Sequence, residues 1–160
     1  FFDGVGTVVT KLLIQALPDL AIFGEKDYQQ LLVIKRLTRD LDIPAEIVGA
    51  PTIREADGLA VSSRNVFLSK ANRETASKVF EILEKTATAI ALGNDVSVAC
   101  EEARSELMLA GFSEIDYFEA RHSETLELIQ NFENSGRLFA AVWLGPTRLI
   151  DNLEIIEYKD

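Results

Sequence analysis

Apolar positions recur at helical spacing early in the chain. Val8, Val9, Leu12, Leu13 and Ala16 fall on one stripe, so residues 5–16 read as an amphipathic helix that Pro18 and Asp19 end. The short apolar run "LAIF", 20–23, has the length of a buried strand. From Tyr28 to Asp40 the positions Leu31, Leu32, Ile34 and Leu37 return to the helical period, and "AEIVGAP", 45–51, reads as a second strand stopped by Pro51. Helix, strand, helix, strand is the order of a parallel α/β sheet.

The pattern then breaks. "TIREADGLAVSSRNVFLS" is rich in Ser, Gly, Asp and Arg and has no clear period. A long loop is expected there, with a change of domain at about residue 53; loops of this length in compact proteins are usually functional or disordered. Ser69 is placed to cap one long helix over 70–92, closed by Gly93, and a further helix spans about 97–110 and is closed by Gly111. "IDYFEARH" alternates loosely. "RLFAAVWLG" and "TRLIDNLEIIEY" flank Gly145-Pro146 and predict a hairpin. The expected fold class is thus α/β: residues 1–52 as part of a parallel-sheet domain, and residues 53–160 as a small α+β domain with an antiparallel sheet.

Composition narrows the function. The chain has 160 residues with a formal net charge of −10, the wrong sign for a general nucleic-acid backbone binder. An anionic ligand must be held by a local basic cluster or by helix N-termini. The single cysteine, Cys100, excludes an internal disulfide and fits a reducing, cytoplasmic setting. No apolar run approaches the roughly 18 residues of a membrane span. Neither nucleic acid nor membrane is expected as a partner. The chain opens "FFDGVGTVV", and its only methionine is Met108, so it reads as a piece of a longer protein cut upstream.

Two polar segments carry candidate chemistry. Gly24-Glu25-Lys26-Asp27 stands where the first predicted strand gives way to a helix, and ligands of open α/β sheets sit beyond the carboxyl ends of strands. Gly24 permits close backbone approach, the helix start offers N–H groups to a phosphate, and Lys26 adds a cation. Asp27-x-x-Gln30 equally matches a capping box, and the Gln30 amide cannot readily serve both a cap and a ligand. The second segment, "VSSRN" at 61–65, places two hydroxyls, a guanidinium and an amide within five residues, a set suited to phosphate oxygens but also to an ordinary solvated loop. Flanking one predicted strand, the two segments suggest a shared nucleotide site.

Other features carry less. "DGVGTVV" is not G-x-G-x-x-G, because Val9 stands at the third glycine. His122, the only histidine, stands at the end of a predicted strand and reads as structural, and no Cys/His cluster has zinc spacing. Asp40, Asp42 and Glu46 read as solvated surface. Trp143, Phe139 and Leu144 read as a core strand, and Cys100 has no basic neighbour to activate it.

"GVGTVVTKLL", "PDLAIFGEKDYQQL", "EIVGAPTIREADGLAVSSRN" and "TRLIDN" together resemble, in order, the corresponding segments of the pantoate–β-alanine ligase family. The resemblance runs along nearly the whole chain, and GEKDYQQ combined with READGLAVSSRN is specific. It implies an ATP- and Mg²⁺-dependent ligase that joins (R)-pantoate to β-alanine through a pantoyl adenylate, releasing pyrophosphate and then AMP. It also implies a homodimer, and a Rossmann-like nucleotide domain (1–52 being its C-terminal part) followed by a C-terminal lid, 53–160. Carried over by residue, Gly24, Glu25, Lys26 and Asp27 line the ATP site, with Gly24 and Asp27 toward the ribose and Lys26 toward the phosphates. Gln30 holds pantoate. Ile53 and Val61 meet adenine, largely through backbone atoms, and Ser62, Ser63 and Arg64 grip the phosphates. Lys26 and Arg64 are the expected catalytic cations. The family's His-x-Gly-His signature and an upstream substrate-binding glutamine are not in this sequence, so the chain alone is expected to be inactive. The residues by themselves also allow a related nucleotidyltransferase or a non-catalytic nucleotide-binding module.

Overall fold

The computed structural model describes residues 2–157. The chain is α/β and divides between Thr52 and Ile53 into two compact units. The first contains helix α1 (Phe2–Ala16), strand β1 (Leu20–Gly24), a 3-10 turn (Glu25–Asp27), helix α2 (Tyr28–Asp40) and strand β2 (Glu46–Ala50). β1 and β2 pair in parallel, Leu20 opposite Glu46 through Gly24 opposite Ala50, so their carboxyl ends lie side by side. The glycines of "DGVGTVV" fall inside α1, and Thr7 Oγ1 donates to the Asp3 carbonyl at 2.8 Å. This segment is a helix, not a phosphate loop.

The apolar stripe of α1 is only partly covered, contrary to the pattern's promise. Leu13 is buried at 5% exposure, whereas Leu12 keeps 57% and Val8 is likewise exposed. A two-stranded sheet and one neighbouring helix are too narrow to cover a stripe of that width. α2 fares better, burying Leu31, Ile34 and Thr38.

The second unit holds α3 (Lys70–Ala76), α4 (Lys78–Ala91), α5 (Val96–Ala110) and an antiparallel sheet of β3 (Glu114–Arg121), β4 (Gly136–Leu144) and β5 (Thr147–Ile155) in the order β3-β4-β5. Along β4, Leu138, Ala140, Val142 and Leu144 alternate onto the face that meets Ile82, Leu83 and Ile90 of α4 and Ala103 and Leu107 of α5 in one core. The caps follow the sequence. Ser69 Oγ accepts from Asn72 N, while Gly93 (φ 94°) and Gly111 (φ 106°) take the left-handed conformation that ends a helix. Phe112 N bonds to the Leu107 carbonyl at 3.2 Å, and both residues are buried, completing a Schellman cap with its hydrophobic contact. Asp95, not anticipated, caps α5 through Val98 N.

Two elements differ from expectation. The single helix over 70–92 is broken at Ser77, whose hydroxyl donates back to the Glu74 carbonyl at 3.3 Å while Phe80 N donates to the Ser77 carbonyl in an i+3 bond. The loose alternation of β3 comes from a bulge between Ile115 and Tyr117. It aims Asp116 at Trp143 Nε1 (2.9 Å) and Arg148 Nε (2.5 Å), so Trp143 is only half-buried while Phe139 and Leu144 are core. β4 and β5 are joined by the two-residue turn Gly145-Pro146.

Core truncation therefore discriminates between the apolar positions. Leu83→Ala is expected to cost about 2–5 kcal/mol in urea unfolding followed by fluorescence of Trp143 and by circular dichroism, because Leu83 is wholly buried. Leu12→Ala is expected to change stability by less than about 1 kcal/mol.

Candidate functional site

The first unit presents its polar segment at the carboxyl end of the parallel pair. Gly24 closes β1, and Glu25–Asp27 turn the chain directly into α2. Open space lies where a Gly24 side chain would project. Gly49 is a different case. A Cβ there would stand 2.9 Å from Glu25 Oε1 and 3.0 Å from Leu31 Cδ2. β2 thus accepts a glycine, costly in a strand, so that the Glu25 side chain can lie across it. Asp27 occupies the N-cap position of α2 but makes no side-chain cap hydrogen bond, so the capping box with Gln30 does not form. Asp27 gives the leading N–H groups of α2 no side-chain cap. Lys26 and Gln30 are both half-buried. Gly24, Glu25, Lys26, Asp27 and Gln30 are therefore gathered at one strand–helix junction.

In the second unit the expected loop is more ordered than its composition suggested. Residues 53–61 form a tight hairpin with Arg54 bridged to Ala60. Val61 N bonds to the Ile53 carbonyl, Glu55 N to that of Leu59, and Gly58 N to that of Glu55. Gly58 turns the chain at φ 89°, and a Cβ there would sit 2.4 Å from Phe80 Cδ1. A 3-10 turn, Ser63–Phe67, follows, capped by Ser62 Oγ accepting from Arg64 N at 3.2 Å. Ile53 and Val61, 72% and 51% exposed, face one another across the hairpin base and offer adjacent apolar surface. Ser62 is half-buried; Ser63 and Arg64 are exposed.

Three arginines lie close together in sequence, and geometry separates them. Arg54 is half-buried and clamps Asp151 of β5 with a bidentate fork, Nη1 to Oδ2 at 2.6 Å and Nη2 to Oδ1 at 3.0 Å. It also reaches the Gly58 carbonyl and lies 3.8 Å from the centroid of the Phe80 ring. Arg73 of α3 holds Asp57 and Glu55 at 2.5 and 2.7 Å. That guanidinium keeps both carboxyls below the usual carboxylate range, and its own pKa is raised in return. Arg64 alone of the three has no ion-pair partner among the described residues. The Arg54–Asp151 clasp was invisible in the sequence, because its partners are 97 positions apart. The signal available was that both ends, "TIREADG" and "TRLIDN", belong to segments quoted for the family resemblance.

The remaining candidates are structural. His122 Nδ1 accepts from the backbone N–H of Glu124 and Thr125 and shapes the turn after β3. Cys100 is buried, and burial pushes its thiol pKa up, away from nucleophilic use. Asp40 pairs with Arg36 and Arg39 on an exposed helix face. Among the described residues no helix is long and apolar enough to cross a membrane.

An α/β chain with a glycine-bearing polar segment beyond its parallel strand ends belongs to the structural class in which many nucleotide-using enzymes fall. The particular family follows from comparison: residues 1–154 match the family model described as "Pantoate-beta-alanine ligase", and the chain belongs to that family. The pantothenate synthetase of Mesorhizobium japonicum is 55% identical over 97% of this chain and 54% of its own length. That of Roseobacter denitrificans is 51% identical over 96% and 54%. The chain spans about half the length of the curated relatives it matches. Among solved structures, pantothenate synthetase from Thermus thermophilus superposes with a TM-score of 0.90 at 42% identity, over 96% of this chain and 55% of that one. The pantoate-beta-alanine ligase of Francisella tularensis, described as complexed with beta-gamma ATP and beta-alanine, gives 0.72 at 35% identity over 96% and 50%.

Two outcomes test the local architecture. Asp151→Ala strands the Arg54 charge and is expected to cost about 3–5 kcal/mol, whereas the double replacement Arg54→Met with Asp151→Leu should cost much less; urea unfolding of both variants decides. Acid is expected to open the Arg73 clamp. Glu55 and Asp57 face Arg73, Asn65 and the Leu59 N–H, and their folded pKa values are depressed. Their contribution is therefore full above the ordinary carboxylate range, about pH 4, and is lost as pH falls through the lowered values. The amide resonances of Gly58 and Leu59 should be constant from about pH 7 to 5 and shift only below about pH 4.

Proposed function

We propose that this protein is a pantoate–β-alanine ligase and that the chain supplies much of its nucleotide and pantoate contacts. The carrying observation is the family match over residues 1–154, supported by the Francisella ligase, which covers 96% of the chain and is described as complexed with beta-gamma ATP and beta-alanine. In this reading the pantoate carboxylate attacks the α-phosphorus of ATP, the bond to pyrophosphate breaks, and a pantoyl adenylate forms. The amine of β-alanine then attacks the acyl carbon and expels AMP.

The residues divide the work by chemistry. Gly24 and Asp27 meet the ribose, Glu25 lines the same pocket, and Gln30 holds pantoate. Ile53 and Val61 meet the adenine, largely through backbone atoms. Ser62, Ser63, Arg64 and Lys26 take the phosphates. Negative charge grows on pyrophosphate as it departs, and cations fixed there before the reaction lower the barrier. The adenylate must be kept from water until β-alanine arrives, which gives the unit from Ile53 onward its role as a lid. Mg²⁺ belongs to the expected chemistry, yet among the described residues no group of three or more His, Cys, Asp or Glu side chains could hold a metal. The described residues offer no cage for the ion, which commonly binds through substrate phosphates and one or two carboxylates, and no step here is routed through it. Assembly as a homodimer in the cytoplasm is part of the same proposal.

The test is pantoate-dependent exchange of pyrophosphate into ATP by the full-length protein, which a nucleotide sensor or a transferase for another alcohol would not catalyse. Lys26→Ala and Arg64→Ala are each expected to slow that exchange by about 10²-fold or more while leaving the unfolding midpoint in place, the loss typical of one preorganised charge contact. Exchange at an unchanged rate in either variant would remove that residue from the mechanism.

A further inference from the structure

The 61–65 segment is polar, exposed at Ser63 and Arg64, and carries no strand pairing of its own. Its conformation is nevertheless tied down at one side chain. Asn65 Nδ2 donates both to Glu55 Oε1 at 3.2 Å and to the Ala60 carbonyl at 3.1 Å. Both partners are acceptors, so the amide can face them only with its nitrogen. Glu55 Oε2 in turn accepts from Arg73 Nη2 at 2.7 Å. One carboxylate therefore joins three elements: the hairpin, the 3-10 turn and α3.

Asn65 Oδ1 is buried and accepts from no protein donor among the described residues. What the Asn65 side chain secures is local. Asn65 N bonds to the Ser62 carbonyl at 3.1 Å, and Arg64 N bonds to Ser62 Oγ, so fixing Asn65 fixes the turn that presents Ser62, Ser63 and Arg64.

We propose that Glu55, Asn65 and Arg73 are positioning residues that hold the Ser62–Arg64 turn in the conformation that receives the nucleotide's phosphates. The inference deepens the proposed function and rests on its assignment of that turn to ATP. The three residues touch no reacting atom; they act through Ser62 and Arg64. Lysine cannot replace Arg73, because one ammonium cannot present the planar fork that spans Asp57 and Glu55 together.

The experiment uses full-length protein carrying Asn65→Asp, Arg73→Lys, or Asn65→Asp combined with Glu55→Gln. Asn65→Asp keeps the volume but sets a carboxylate against Glu55 and the Ala60 carbonyl. Amide hydrogen exchange is measured without nucleotide, and KM is measured separately for ATP and for pantoate. For each single variant we expect exchange over 61–65 to rise about tenfold or more, with α4 and β4 unchanged, and KM for ATP to rise about tenfold with KM for pantoate within about twofold. In the double variant the amide nitrogen introduced by Glu55→Gln can donate to the carboxylate introduced by Asn65→Asp, while the amide carbonyl still accepts from Arg73. That variant should regain part of the lost ATP affinity. Exchange that stays at the wild-type rate over 61–65 overturns the proposal. So does a rise spread over the whole Ile53–Asp160 unit with both KM values moving together, which would mark a merely structural role. A wild-type protein that fails to consume ATP sinks the functional reading instead, and the exchange measurement still decides the clamp.

Discussion

The guanidinium of Arg54 gives its hydrogens to four oxygens at once: both carboxylate oxygens of Asp151, the Gly58 carbonyl at 3.1 Å and the Asn152 carbonyl at 3.4 Å. The face of the same group rests on Phe80. A half-buried pair of this kind is poor evidence for stability, since apolar side chains of like volume often do as well. Its effect is on location. The hairpin over 53–61 has one isolated bridge and a few turn bonds, far too little to hold an extended segment by itself. Asp151 lies on the helix-facing side of β5, within the three-stranded sheet, and it fixes where the hairpin begins. The apolar pair Ile53 and Val61, and the turn that follows them, inherit their place from that contact.

The first unit solves the matching problem with backbone instead of charge. Parallel pairing sets Gly24 beside Ala50, so both strands release the chain at the same edge. A side chain at position 49 would press on Glu25 and Leu31, so that their side chains would have to shift. The glycine loses backbone entropy and packing in the strand, and in exchange the first residue of the 3-10 turn is seated across the sheet. Lys26 and Asp27 are then delivered directly to the start of α2, without an intervening loop whose flexibility would blur their positions.

How much of this could be read from the residues depends on the range of the interaction. Caps and turns are local, and Ser69, Gly93, Gly111 and Gly145-Pro146 all act as their types suggest. The α2 stripe and the alternation of β4 were legible for the same reason, because one period and one buried face govern them. The α1 stripe misled at Leu12, since a periodic pattern records the face a helix could bury and not how much of it is covered. Ser77 interrupts a strong helical pattern through a single hydroxyl, a competition that periodicity does not register. The candidate segments were legible as chemistry, through their glycine, hydroxyls and cations. Their anchoring was not, because Arg54 to Asp151 and Arg73 to Glu55 are contacts across the fold that no spacing rule connects.

A turn that is to grip phosphates, the role proposed for Ser62–Arg64, faces contradictory demands. Its donors must be exposed to meet the ligand, yet exposed polar backbone is mobile, and ordering it on binding would consume affinity. The stretch from Ile53 to Asn65 reconciles these by anchoring both ends and leaving the middle open. Arg54 binds the beginning to β5, and Asn65 binds the end to Glu55, which α3 holds through Arg73. The arrangement also sorts charge. In a chain of net −10, a cation with a nearby carboxylate is normally neutralised, and Arg54 and Arg73 are. Arg73 engages Asp57 and Glu55, and Arg54 engages Asp151. The ion pairs that order the turn do not involve Arg64, the guanidinium that the proposed function assigns to the phosphates.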